Sequence, residues 1–300
     1  MEGFKVCKSS ETIETVAQKN SSLSLLAHGD GVEISMYELR SGVVTFLDTF
    51  SGGDLLEFFY IIEGTISCNY SKKEVNLGPG DYFYAHNLKS PVELKPQTDV
   101  RLLHVSSRPL FKYVSNNMGV MKDILSKVEI KDSYTHGHGK RVRDVSLAIA
   151  RKLGVPSEKQ EVIAMGALFH DIGKIEIDDS ILKKPSRLSR EEFEIIKLHP
   201  VTGCEMVKGN FLEETQDIIR HHHERLDGSG YPDGLKGSEL SLEARIVAVA
   251  DSFDAMTSRR PYREAMSCNE ALQELKSKAG LLYDSKAVKA LEECIDEGLI

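Results

Sequence analysis

The chain has no tryptophan, and its five cysteines are scattered without a CxxC pair among 300 residues. This odd set of thiols argues against a disulfide framework and favours a reducing compartment. No run of about 18 apolar residues occurs, so we expect neither a membrane-spanning helix nor a membrane partner. The first residues also lack the apolar centre of a signal peptide. Together these absences predict a cytoplasmic protein.

Excess positive charge is also missing. The formal net charge is −8, with 9 Lys and Arg against 14 Asp and Glu before Ser107, and 29 against 32 from there on. Neither half has the basic surface that binding a polyanion requires, so a nucleic-acid polymer is not an expected partner. A nucleotide substrate would have to meet local positive charge, which bound metal ions can supply.

The residue patterns predict two kinds of structure in succession. Short apolar and β-branched runs end at turn residues from about Gly31 to Val105, which indicates a sandwich or small barrel. A helical pattern then spans Phe111 to Val128 and continues to the C-terminus. We therefore predict a multi-domain α and β protein, with a β domain at 1–106, a linking helix at 107–131 and an all-α domain at 132–300.

Three later helix starts have the spelling of a capping box, at Ser157, Ser189 and Ser267. The segment Arg245–Thr257 is apolar on most faces and predicts a buried helix. Asp251 lies inside it, where an ionised carboxylate is costly unless it meets positive charge.

Seven of the ten histidines fall between His136 and His223. Neutral imidazole and carboxylate are common ligands of catalytic transition metals. His170 and Asp171 point about 100° apart on a helix, so they suit two adjacent ions if Asp171 offers one oxygen to each. Two such ions about 3.5–4 Å apart support phosphoester cleavage. The candidate ligands are His138, His170, Asp171, His199, His222, His223 and Asp251.

The same residues lie in motifs that resemble a known family, the HD-GYP domain of bacterial phosphohydrolases, from about residue 132 to 297. The matching stretches are YTHGHGKRV, LFHDIGKI, ILKKPSRLSREE, HPVTG, HHERLDGSGYPDGL and ARIVAVADSFDAMTSRRPYR. The resemblance implies hydrolysis of cyclic di-GMP to pGpG, and often on to GMP, with two or three iron or manganese ions.

The resemblance also implies roles for single residues. The seven candidates above fall at metal-ligand positions with Asp171 as the bridge, and Lys174 falls where a lysine contacts the scissile phosphate; Asp171 and Lys174 are thus the implied catalytic pair. Arg260 and Arg263 fall where basic side chains hold the substrate's phosphates, a task that suits the guanidinium fork. Tyr231 of the GYP loop lines the nucleotide end, and could also belong to a partner-binding surface.

Departures from the family pattern sharpen these expectations. Tyr134 stands where members with three metals carry a glutamate, so we predict a centre of two divalent ions, iron or manganese. Gly139 and Ser186 replace the usual serine and glycine without evident harm. His136 and His221 lie outside the matched positions and receive no role.

The segment LLEFFYIIEGTISCNYSKKEVNLGPGDYFYAH resembles the cupin jelly roll, over about Val43 to Val105. Metal-binding cupins carry an HxH pair shortly before Glu57, where this chain has none. Glu57 and His86 alone make a poor site. We therefore interpret the domain as a metal-free cupin used for sensing or dimerisation, with a structural cap as the alternative.

The leading hypothesis is a metal-dependent cyclic di-GMP phosphodiesterase, regulated through its β domain and forming a homodimer. One alternative is an interaction module with weak or no catalysis, which docks onto a diguanylate cyclase or another partner through the GYP loop. Another keeps the chemistry and changes the substrate to a cyclic dinucleotide such as cyclic GMP-AMP.

Overall fold

The structure is a computed structural model. It describes residues 4–8, 11–17, 20–43, 45–47, 54–70, 73–112, 114, 124, 127–128, 131, 137–184, 186–210, 212–258 and 265–300. The chain divides into two compact units, Met1–Lys122 and Asp123–Ile300. Much of the predicted helix Phe111–Val128 lies outside the described residues, as do Tyr134, His136, Arg260 and Arg263. No helix in the described part is long and apolar enough to span a bilayer.

The first unit is β-structured as far as Ser106, with antiparallel pairing throughout the described strands. The strands are β1 Glu14–Ala17, β2 Ser21–Gly29, β3 Val32–Leu39, β4 Thr45–Leu47, β5 Leu56–Glu63, β6 Ile66–Tyr70, β7 Lys73–Leu77, β8 Tyr82–His86, β9 Val92–Pro96 and β10 Val100–Ser106. They form a six-stranded sheet in the order β1-β2-β3-β10-β5-β8 and a four-stranded sheet in the order β4-β9-β6-β7. Strand β2 begins before the predicted β region. It was not predicted because its inward positions are apolar only at Leu23 and Leu25, with serines around them.

The core of the β unit lies between the inner faces of these sheets. Its buried members are Leu39, Phe59, Ile61, Ile66, Leu94, Val100 and Leu102. Glu57 also points inward, and its Oε1 lies 3.2 Å from His104 Nε2, while the Phe59 and His104 rings stack at 4.5 Å. His86 instead bonds Asp54 on the exposed side. Glu57 and His86 therefore do not share a site.

The second unit is helical, which confirms the predicted order of an all-β and then an all-α fold. Its α-helices are α1 His138–Lys152, α2 Ser157–Phe169, α3 Asp179–Leu182, α4 Arg190–Ile196, α5 His199–Met206, α6 Gln216–His221, α7 Leu242–Thr257, α8 Cys268–Ser277 and α9 Ser285–Asp296. Helix α7 is the predicted buried helix, and it contacts α1, α2, α6, α8 and α9. This central position carries Asp251 into the interior of the unit.

Two of the three predicted capping boxes are confirmed, at Ser189 and Ser267. The third is wrong. Helix α2 begins at Ser157 itself, after Pro156, and the Gln160 amide donates to the carbonyl of Val155 instead. Pro156 occupies the cap position, and its side chain has no hydroxyl group to accept a hydrogen bond from the first helical amides.

Candidate metal centre

The candidate ligands lie mostly at helix ends. His138 begins α1, His199 begins α5, and His170 and His222 directly follow α2 and α6. Asp251 is the exception and lies inside α7. Several of these helix ends converge, so residues that are far apart in the chain come close together there.

Two glycines, Gly173 and Gly203, allow these residues to meet. A short 3-10 turn, Ile172–Glu176, follows the HD pair and packs directly on α5. A Cβ on Gly173 would overlap the carbonyl oxygen of His199 and lie 2.6 Å from the amide nitrogen of Gly203. Pro200 suits the start of α5 because its fixed φ is helical. The close backbone contact thus holds the HD segment beside His199.

One set of ligands comprises His138, His170 and Asp251, which we call the His138 group. All three side chains are buried. The His138 Nε2 lies 3.2 Å from the Nε2 of His170 and 3.3 Å from Oδ1 of Asp251. Oδ2 of Asp171 approaches the same place, at 3.4 Å from His170 Nε2.

The second set comprises Asp171, His199, His222 and His223, which we call the His199 group. The ligand atoms of each group lie within 4.8 Å of one another. Oδ1 of Asp171 is 3.3 Å from His199 Nε2, and that nitrogen is 3.3 Å from His222 Nε2. The two oxygens of Asp171 therefore face different groups, as a bridging carboxylate would.

The chemistry of these nitrogens fits a cation. The Nδ1 atoms of His170, His199 and His222 each lie 2.7–2.8 Å from the carbonyl oxygen three residues earlier. A carbonyl only accepts, so the proton sits on Nδ1 and Nε2 presents a lone pair. The lone pairs of His199 and His222 face each other at 3.3 Å and repel unless a positive charge lies between them. Imidazole and carboxylate donors together suit divalent transition metals.

Burial sets the ionisation of the histidines in the His199 group. It lowers the pKa of His199 to about 4 and that of His223 to about 3, and it holds the pKa of His222 well below its usual value. Neutral imidazole is the ligand form at neutral pH.

Negative potential dominates around the His138 group. Although burial lowers the pKa of His138, hydrogen bonds with Asp251 and Asp254 raise it to about 9. Burial also disfavours charge on Asp251, but His138 and the other imidazoles hold its pKa well below the usual value. Without a metal, a proton on His138 therefore balances charge on the carboxylates of Asp251 and Asp254, and cation binding would have to displace that proton.

Asp254 contacts a candidate ligand and was not predicted from the sequence. Its Oδ2 lies 2.7 Å from His138 Nδ1, and Arg141 donates to Oδ1 at 2.6 Å. A carboxylate behind a ligating imidazole fixes the ring and its tautomer. Its position one helical turn after Asp251 was the available signal, since residues three apart share a helix face.

The other predicted site residues that the structure describes lie beside these groups. Lys174 Nζ is 2.8 Å from Oδ2 of Asp171. The Tyr231 ring lies 4.7 Å from that of His223, centroid to centroid. His221, which had no predicted role, bonds Asp217 and Asp233 and so belongs to the support of the loop that carries Tyr231.

Several curated proteins are similar to the helical part. A cyclic di-GMP phosphodiesterase response regulator, RpfG of Xanthomonas campestris, is 45% identical over 55% of this chain and 44% of its own. A cyclic di-GMP phosphodiesterase of Thermotoga maritima is 42% identical over 63% of this chain and 52% of its own. A 3'3'-cGAMP-specific phosphodiesterase of Vibrio cholerae is 36% identical over 56% and 40%. The chain thus spans about half the length of these relatives.

Two solved structures are similar to larger or smaller parts of the chain. An HDG"Y"P protein from Bdellovibrio bacteriovorus has 18% identity and a TM-score of 0.46, covering 85% of this chain and 99% of that one. The Cupin_2 domain of an XRE family transcriptional regulator from Enterobacter cloacae has 14% identity and a TM-score of 0.27, covering 30% and 99%. The HD domain family matches residues 120–287, more than half of the sequence, which confirms the predicted resemblance: the chain belongs to the HD domain family.

Proposed function

We propose that the chain is a metal-dependent phosphodiesterase that cleaves cyclic di-GMP to pGpG, and further to GMP. The observation that carries this proposal is the pair of His/Asp groups that meet at the two oxygens of Asp171. Adjacent divalent sites of this kind suit phosphoester cleavage. Relatives named for this activity support the same reaction.

Two divalent ions, iron or manganese, are the proposed cofactors. The His138 group and the His199 group would hold one each, with Asp171 shared. When bound, such ions supply Lewis-acid charge that activates water and stabilises the leaving oxygen. Three imidazoles and one carboxylate in the His199 group give the mixed nitrogen and oxygen set that these metals accept.

The chain's own residues would bind and orient the substrate. Lys174 places its ammonium group at the edge of the centre, where it offsets charge on the scissile phosphate, and Asp171 keeps it there. Tyr231 offers an aromatic face next to His223 on which a guanine base can stack. We assign the flanking phosphates to Arg260 and Arg263, which lie outside the described residues.

Hydrolysis of cyclic di-GMP with Mn²⁺ or Fe²⁺ tests the proposal. We expect His170→Ala and Asp171→Ala to lose nearly all activity, because each removes a donor from the centre. His86→Ala is the matched control, since it removes an exposed histidine of the β unit and should leave the rate unchanged. Equal rates in all four proteins would reject the enzyme.

Metal content tests the predicted number of ions. Protein purified without air exposure should hold two ions per chain, because Tyr134 offers a phenol where a third ion needs a carboxylate. Three tightly held ions would contradict this. A Tyr134→Glu variant that gains an ion would support the assignment of that position.

A second substrate is supported by relatives that are named for 3'3'-cGAMP. Cyclic GMP-AMP differs from cyclic di-GMP in one base, so the same centre could cleave both. Competition between the two substrates in one assay separates the preferences.

We also propose that the chain works as a homodimer and that its β unit regulates the hydrolase. A diguanylate cyclase is the proposed partner of the GYP loop. Pull-down of a purified cyclase by the native chain, but not by Tyr231→Ala, tests that contact. Equal capture by the two proteins would reject it.

A further inference from the structure

The outer face of the six-stranded sheet is apolar where strand alternation calls for polar residues. In an antiparallel sheet with one face on the core, the other face normally carries polar side chains. Here two rows of paired residues cross β3, β10, β5 and β8 on the outer face. The rows are Met36, Leu103, Tyr60 and Tyr82, and Ile34, Val105, Phe58 and Tyr84.

The alternation confirms that these side chains point away from the core. Glu57, Phe59 and Ile61 of β5 are buried, while Tyr60 between them is 39% exposed. On the edge strand β8, Tyr82 and Tyr84 are 60% and 65% exposed. The Phe58 and Tyr82 rings lie 5.4 Å apart on this same face. We call the two rows and the adjacent Leu56 the outer sheet surface.

We propose that the outer sheet surface binds the same surface of a second copy of this chain. The proposal deepens the homodimer named above by giving its interface, and it does not depend on the hydrolytic reaction. A two-fold dimer brings one patch against itself, so the patch must complement itself in shape and charge. Twisted sheets of the same hand pack face to face in this way.

Charge favours a second copy over other occupants. Charged and titratable side chains lie at the two ends of the described surface: Arg101 lies 3.5 Å from Glu38 and 3.2 Å from Glu63 at one end, and His86, which pairs with Leu56, lies 3.0 Å from Asp54 at the other. The rim is therefore balanced rather than basic, and the half of the chain before Ser107 is acidic. An anionic membrane would be repelled by that half. Two acidic copies avoid repulsion best where they meet through an uncharged face.

The area is sufficient for a specific but modest interface. At about 200 Å² per aromatic side chain, the exposed fractions of Tyr60, Tyr82 and Tyr84 amount to roughly 330 Å². With their apolar neighbours, two facing copies would bury on the order of 1,000 Å² in total, near the lower limit for a biological interface. We therefore expect a dimer whose population depends on protein concentration. Tyrosine hydroxyls at the rim can remain hydrated.

Sedimentation of the full-length chain across a wide concentration range tests the proposal. We expect the native mass to approach that of a dimer, and the dissociation constant of Tyr84→Lys to be at least about tenfold higher, since a lysine there buries an unpaired charge. Val6→Lys is the matched control, because Val6 is 75% exposed in the same unit but outside the surface. Its dimerisation should be unchanged.

A second measurement guards against a variant that misfolds. In the native chain, amide exchange along β8 should slow as concentration rises, while exchange at the exposed end of α9 stays constant. A native chain that stays monomeric, or a folded Tyr84→Lys that dimerises as the native does, would overturn the proposal. Phosphodiesterase activity is measured separately, so a protein without that activity can still be tested for dimerisation.

Discussion

At the scale of single residues, the arrangement of the candidate ligands depends on the absence of a side chain at position 173. Gly173 has no side chain where the HD segment touches the backbone of α5, and this contact places Asp171 against His199. A methyl group at this position meets backbone atoms, which cannot rotate away as a side chain would. The site is therefore sensitive to a residue that binds nothing.

We expect Gly173→Ala to weaken Mn²⁺ binding by at least about tenfold, a loss of about 1.4 kcal/mol. The added Cβ separates the turn from α5, so the two oxygens of Asp171 no longer face both groups. Titration with Mn²⁺ measures the change. Gly29→Ala serves as the control, since a Cβ there meets nothing within 4 Å. Equal affinities for the two variants would show that the contact does not position the ligands.

The buried histidines predict how the metal-free protein responds to acid. Unfolded histidine has a pKa of about 6.5, whereas folded His199 and His223 have pKa values of about 4 and about 3. Between pH 6.5 and 4 the unfolded chain binds protons that the folded chain does not. Stability must therefore fall as the pH drops through this window.

His138 predicts the opposite response to base. Its folded pKa of about 9 lies above the unfolded value, so its contribution is full below pH 6.5 and is lost as the pH rises through about 9. The metal-free chain should be most stable near pH 6.5. Urea midpoints across pH measure this, and His223→Asn should flatten the acid side. A stability that rises steadily to pH 9 would contradict the prediction.

At the scale of elements, the loop that carries Tyr231 is tied to the end of α6 by a buried carboxylate. Glu224 Oε1 accepts hydrogen bonds from the amides of Asp233 and Gly234, at 2.6 and 2.9 Å. Arg220 and His221 bind the Asp233 carboxylate from the other side. The loop is therefore fixed to the same segment that supplies His222 and His223.

We expect Glu224→Ala to raise the KM for cyclic di-GMP by about tenfold or more, because each buried amide left unpaired costs about 1–3 kcal/mol and the loop loosens. Glu224→Gln keeps an acceptor oxygen and should stay close to the native value. Hydrogen exchange at Asp233 and Gly234 should speed up in the alanine variant alone. A loss confined to kcat, with KM and exchange unchanged, would assign Glu224 a different role.

The elements also show how far the sequence can lead. The apolar period of α7 and the HD and GYP motifs sufficed to predict the helical unit and the residues now found in two groups. Strand β2 was missed because serines separate its few inward apolar residues. The bond from Glu224 to the loop amides was missed because a contact across nine residues depends on the loop path. Local sequence patterns predict local structure, while contacts such as the one from Glu224 to the loop amides form only when the chain folds.

At the scale of the whole molecule, each unit has a core of its own. The β unit buries residues such as Phe59 and Ile61 between its sheets. The helical unit buries a separate cluster around α7 that includes Ile246, Val249 and Phe253. All seven candidate ligands belong to the helical unit. Cation binding should therefore act on one unit directly.

We expect calorimetry to resolve two transitions, of which Mn²⁺ raises only one. A ligand present at 100 times its dissociation constant stabilises the folded state by about 2.7 kcal/mol. None of the seven candidate metal ligands lies in the β unit, so the transition of that unit should not shift. A chelator should reverse the shift. His170→Ala should show both transitions with little response to Mn²⁺, because its His138 group has lost a donor. A single transition that moves as a whole would instead mean that the two units unfold together, and that a cation in one unit stabilises the other.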